Sequence, residues 1–207
     1  LSFSRAALAG GALVGALFLM WKFNARSIAL AMIGILLVGL VAGDAIYSRL
    51  TMGFGEGADA VSAGRIEHIW LPLLPDVATS PLWGHGLRSI LWSFAMVNDS
   101  ILRVTHPHNA YLETLLDMGL IGLVLFGVYF THVWRGFREL GRSASLSPEM
   151  RGFFQGATAA LAAFFFTGLV GSSLRPTAEG SFVWIAIGLM YGMKGLYGAR
   201  GREPAKG

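Results

Sequence analysis

Apolar residues fall along the chain in five charge-free stretches, at 6–21, 27–43, 118–134, 152–174 and 180–193, and none contains a proline. A membrane-crossing helix takes about 20 residues at 1.5 Å rise each. Residues 152–174 reach that length alone. The others reach it once flanking Arg5, Lys22, Asp117 and Lys194 sit at the interface, where long side chains snorkel. The pattern predicts an all-α, polytopic membrane protein with about five transmembrane helices. Small residues four apart, at Gly11/Gly15, Gly152/Gly156 and Gly188/Gly192, predict close helix packing.

Between the second and third stretches the pattern changes. Residues 45–108 hold four prolines, Pro72, Pro75, Pro81 and Pro107, and read as one long, partly helical loop. Ile66, Ile69, Trp70, Leu73 and Leu74 recur at helical spacing, and so do Leu87, Ile90, Leu91 and Phe94. Each set predicts a short amphipathic helix, with a turn at Pro81–Gly86 between them. The organisation is therefore two transmembrane helices over 1–44, the loop over 45–108, three transmembrane helices over 109–199 and a tail over 200–207. The chain opens on Leu1 with no basic segment before the first apolar stretch, so upstream helices are expected.

Composition agrees with the pattern. Hydrophobic residues make up 54% of the chain and charged residues 14%, against about 25% in a soluble domain. Cysteine is absent, which excludes disulfides and thiolate metal sites. The net charge of +4 has a topological cause. Residues 22–26, 135–151 and the segment from Lys194 hold ten basic residues and three acids, whereas the other side holds six basic residues and nine acids. The basic side is expected to be cytoplasmic and the loop outside. No basic patch with interleaved aromatics is left over, so no nucleic-acid partner is expected.

The densest polar signal is Thr105-His106-Pro107-His108-Asn109-Ala110-Tyr111-Leu112-Glu113. Proline disfavours helix for the residue before it, and Asn109 is a natural N-cap for a helix starting just after. His108 then sits at the positive end of that helix, where neutral imidazole is favoured and can accept a proton from a hydroxyl. A plain capping role fits the spacing as well. Asn109, Glu113 and Asp117 share a helical face. His106 and His108 have H-x-H spacing, with His68 and His85 also in the loop, but no carboxylate stands at tight ligand spacing and no metal is expected. His132 reads as a packing residue. Arg5 opens the first span, where it can snorkel or aim a guanidinium fork at a phosphate. Arg65 and His68 share one face of the segment that begins at Gly64. Glu67, Asp76 and Asp99 are loop carboxylates that spacing does not rank.

These motifs resemble the O-antigen ligase and polymerase family. His108-Asn109, nine residues, then Gly119-Leu120-Ile121-Gly122 matches its His-Asn…Gly-x-x-Gly pattern in full. Gly64-Arg65…Trp70 looks like its Gly-Arg…Trp segment, Pro81–Gly86 like its Pro-Leu-x-Gly-x-Gly turn, and Ser4-Arg5 like the Ser-Arg opening an upstream helix. His85 and His106 depart from the usual pattern. The resemblance covers most of this chain and the C-terminal half of a typical member.

The resemblance implies a glycosyltransferase in the bacterial inner membrane with its loop in the periplasm. It moves a glycan from an undecaprenyl-diphosphate carrier to an acceptor hydroxyl on lipid A-core or a similar acceptor, without cofactor or metal. His108 is then the base, and Arg5 and Arg65 stabilise the departing diphosphate. Asn109, His68 and Glu113 join the two arginines in substrate binding. Repeat-unit polymerisation and protein O-glycosylation remain open within the family. Outside it, a transporter needs polar residues at mid-membrane, and the charge-free spans disfavour that. A scaffold without chemistry is the other alternative.

Overall fold

A computed structural model describes residues 5–21, 24–53, 55–98, 104–171 and 180–200; the side chain of Arg5 lies outside the described set. Among the described residues the chain is helical, without strands. Helices α1 (Arg5–Trp21) and α2 (Ala25–Thr51) lead into the loop. The loop carries α3 (Ala58–Ser62), a π turn (Ile66–Trp70), α4 (Leu71–Thr79), a 3-10 turn (Ser89–Trp92) and α5 (Phe94–Asn98). Three long helices follow: α6 (Ala110–Leu140), α7 (Pro148–Gly168) and α8 (Ser181–Arg200).

Among the described residues, two of the five expected spans have the length and apolarity to cross a membrane, one within α2 (Ile28–Ser48) and one in α6. The α2 span is apolar on every side, and none of it is buried within the chain. Helix α1 has a shorter apolar run, Leu8–Leu17. It lies antiparallel to α7. A methyl on Gly10 would touch Thr167 and Ala163, while Leu17 and Met20 share a cavity with Gln155 and Thr158. The expected glycine pairs do not mediate this packing. A methyl on Gly11, Gly15, Gly152, Gly156, Gly188 or Gly192 meets nothing within 4 Å, whereas one on Gly136 of α6 would overlap Met190 of α8. The close approaches of backbone to side chain are therefore made at isolated glycines.

Helix α6 takes part in two cores. Its later turns bury Phe130, Val133 and Phe137 against Phe154 and Leu161 of α7 and Met190 of α8. Its first turns bury Leu112 and Leu116 against Ile69 and Leu73 of the loop and Ile90 of the 3-10 turn. Between the two, α6 breaks. Gly119 has φ 65° and ψ −167°, outside helical space. A broken helix strands carbonyls on one side and N–H groups on the other. The Pro81–Gly86 turn satisfies both sets. His85 N donates to Leu116 O (2.8 Å) and Gly86 N to Asp117 O (2.9 Å), while Leu120 N donates to Pro81 O (2.8 Å) and Ile121 N to Leu82 O (3.2 Å). The 21 residues beyond the break span roughly 31 Å by themselves, enough for a bilayer core. The turns before it belong to the loop module and bury Glu113, Thr114 and Asp117.

The first expected loop helix forms and buries Ile69 and Leu73 of its predicted face, whereas Leu74 is exposed. In its π turn Leu71 N reaches Ile66 O, and Pro72, which has no N–H to donate, follows directly. The second expected helix does not form as one stripe. The Asp117 carboxylate accepts Arg88 N (3.1 Å) and Ser89 N (3.0 Å) and turns the chain there, with Arg88 at φ 61°. Ile90 is buried, and Leu87 and Phe94 face outward.

Candidate active site

The His106–Asn109 segment is held from both sides. Asn109 caps α6 as expected, its Oδ1 accepting from Tyr111 N and Leu112 N, both at 3.0 Å. On the other side Trp70 Nε1 donates to Pro107 O at 2.8 Å, and Pro107 is fully buried. Two indirect constraints therefore fix the residue between them, His108, which adopts φ 52°. Its ring meets His106 edge-on, with centroids 4.0 Å apart at 87°.

His108 is half-buried, and its surroundings disfavour the imidazolium. Burial is the largest cause; the neighbouring His106 and the positive charge of Arg65 follow. Together they lower its pKa from 6.5 to about 4. At neutral pH the ring is uncharged and carries a free lone pair.

Arg65 reaches this site from the start of the π turn. Its Nη1 donates to Val170 O at 2.6 Å, just past the end of α7, where outward-facing carbonyls favour a cation. The loop is thus tied to the bundle beside His108. The antiparallel register of α1 on α7 carries Arg5 to the same end. Gly10 lies against Thr167, and Arg5 is roughly 7 Å further along α1 in the direction that Val170 lies from Thr167.

The other expected site residues fall differently. Glu113 is buried in the first turn of α6, and its N–H returns to Asn109 O at 2.9 Å. Asp117 shares that face but braces the Arg88–Ser89 turn, also accepting Ser89 Oγ at 2.8 Å. The Asn109 oxygen is spent on the cap. His68 is exposed, with its ring against Gly64. Among the described residues no group of three or more His, Asp or Glu gathers as a metal site. Asp99 lies outside the described residues.

Trp70 and Val170 were not among the candidate residues. The Trp70 indole sits on a predicted amphipathic face and carries a donor that needs a partner when covered, which is the signal for its role. A backbone carbonyl such as that of Val170 has no sequence signal. The His–Asn turn, the Gly-Arg…Trp segment and the Pro81–Gly86 turn therefore contact one another through α6. The sequence profile of the family described as O-antigen ligase matches residues 1–127, more than half of the chain. The chain belongs to the O-antigen ligase family. No curated protein shows significant similarity to it. As a member of that family it is a membrane protein of the glycosyltransferase type, with lipid-linked glycan and acceptor as its general class of partner.

Proposed function

We propose that this O-antigen ligase family member transfers a glycan from undecaprenyl diphosphate to an acceptor hydroxyl, lipid A-core or similar, on the periplasmic face of the inner membrane. The observation that carries the reading is a neutral His108 fixed beside Arg65 at the loop-to-helix junction. The acceptor oxygen attacks the anomeric carbon as His108 takes its proton. The bond from that carbon to the diphosphate oxygen breaks, and the electron pair stays on the diphosphate. Arg65, and Arg5 from the same end of the bundle, stabilise the charge that develops there. His108 then returns its proton to water.

A pKa of about 4 makes a weak base in the free protein. A bound diphosphate corrects this, because its negative charge offsets Arg65 and stabilises the imidazolium. The site thus gains basicity when the donor is in place. The break at Gly119 supports the reading too, since it seats the His108 turn on a loop module above a span of bilayer length.

Glycan profiling of a deletion strain tests the proposal. Loss of polymer-capped lipopolysaccharide, with carrier-linked polymer accumulating, is the expected result, and full-length His108→Ala should not restore capping. An unchanged glycan profile on deletion would overturn it.

A further inference from the structure

A cleft opens in the loop module, with none of the His108 turn in its lining. It encloses about 260 Å³ among Asp76, His85, Ser89, Trp92, Ser93 and Leu116. The two serines of its lining have spent their donors elsewhere. Ser89 Oγ donates to Asp117 Oδ1 and Ser93 Oγ to Ile90 O, each at 2.8 Å. His85 Nε2 lies 2.7 Å from Asp76 O, which only accepts, so Nε2 donates there. Asp76 Oδ1 accepts Phe94 N at 3.1 Å, whereas Oδ2 is shielded from solvent and meets no donor on the protein. A shielded carboxylate oxygen without a donor is costly. Beside these acceptors stands Trp92, 79% exposed.

The Asp76 carboxylate and the two spent serines disfavour phosphate or carboxylate ligands, which bring more acceptors. They suit a ligand rich in hydroxyl donors. The exposed indole adds a flat apolar surface, and a sugar ring offers both hydroxyls and a C–H face.

We infer that this cleft binds one sugar unit of a glycan, with Asp76 Oδ2 accepting from a ring hydroxyl and Trp92 packing on the ring face. The carboxylate reaches the hydroxyl by turning about its soft terminal torsion. The inference rests on the transferase reading and extends it outward from the reacting bond. Asp76 lies six residues beyond Trp70, which holds the His108 turn, so roughly 9 Å separates them along the helical run. The occupant is therefore a sugar beyond the one whose bond changes, from either the donor chain or the acceptor chain.

The test uses the full-length protein in proteoliposomes. Transfer is measured with lipid-diphosphate donors of increasing glycan length at fixed acceptor, then with acceptors of increasing length at fixed donor. In one series kcat/KM should rise about tenfold once the glycan reaches the cleft, and that series identifies the source. Asp76→Asn and Trp92→Ala should each remove most of the rise and leave the single-sugar rate near wild type. Trp92→Phe, which keeps an aromatic surface, should retain it. No rise in either series, a rise that both variants keep, or an equal loss at every length would overturn the inference. Failure of the transferase reading registers separately, as an unchanged single-sugar rate in His108→Ala.

Discussion

Gly84 and Gly119 meet backbone to backbone. A methyl on Gly84 would lie 2.5 Å from Asp117 C and Met118 N, and one on Gly119 would overlap the Leu82 carbonyl. Both residues have positive φ, 68° and 65°. The contact locks the Pro81–Gly86 turn into the break of α6, and the loop module is seated on the bundle there.

Gly119→Ala and Gly84→Ala should therefore be severely destabilising. Overpacking costs about 1–3 kcal/mol, and a left-handed backbone adds about 1–2 kcal/mol for a residue with a Cβ. Thermal unfolding of detergent-purified protein should show a marked loss of Tm. A wild-type Tm in both variants would mean the two backbones do not touch.

Asp117 accepts three hydrogen bonds from the Arg88–Ser89 turn. Asp117→Asn weakens the charge-assisted set and should cost about 1.5–3 kcal/mol of stability. The pH dependence of transfer by the folded fraction should not move. A shifted pH profile would show that Asp117 takes part in the chemistry and does more than brace the turn.

That contrast shows what the sequence made legible. The cap at Asn109, the apolar face of Ile69 and Leu73 and the start of α6 follow from local rules of spacing and capping, and all three are present. The break at Gly119 was not read, although polar Glu113 and Asp117 give way to an apolar run just there. A glycine with positive φ inside a helix is tolerated only because a distant turn supplies the missing hydrogen bonds, and spacing carries no trace of that partner. The stripe of Leu87, Ile90, Leu91 and Phe94 failed for the same reason, since Asp117 redirects the chain. The proximity of Arg65 to His108 is likewise tertiary, fixed by the carbonyl of Val170 and the indole of Trp70.

Trp70→Phe keeps the packing and removes the 2.8 Å bond to Pro107 O. It should cost about 1 kcal/mol of stability. Transfer should fall further than stability explains, because the turn that orients His108 loosens. Activity falling only in proportion to folded protein would show that the bond does not orient the histidine.

Arg65→Lys should not be conservative. A lysine keeps the charge but loses the planar fork that can hold Val170 O and a phosphate oxygen together. A drop of about 10²-fold in kcat is expected for losing one preorganised stabiliser of developing charge. Wild-type kcat in this variant would remove Arg65 from the reacting centre.

The most direct measurement is the pH dependence of kcat/KM for transfer from a lipid-diphosphate donor, comparing wild type with His108→Ala in the full-length protein. The neutral ring is the active form and the folded pKa is depressed, so activity is lost only as pH falls through the folded value. The acid limb of the wild type should lie near 4, well below the 6.5 of an unperturbed histidine. The variant should be slower by about 10²–10⁴-fold across the range and lack that limb. A variant with wild-type rate and the same acid limb would contradict the role of His108 as the base.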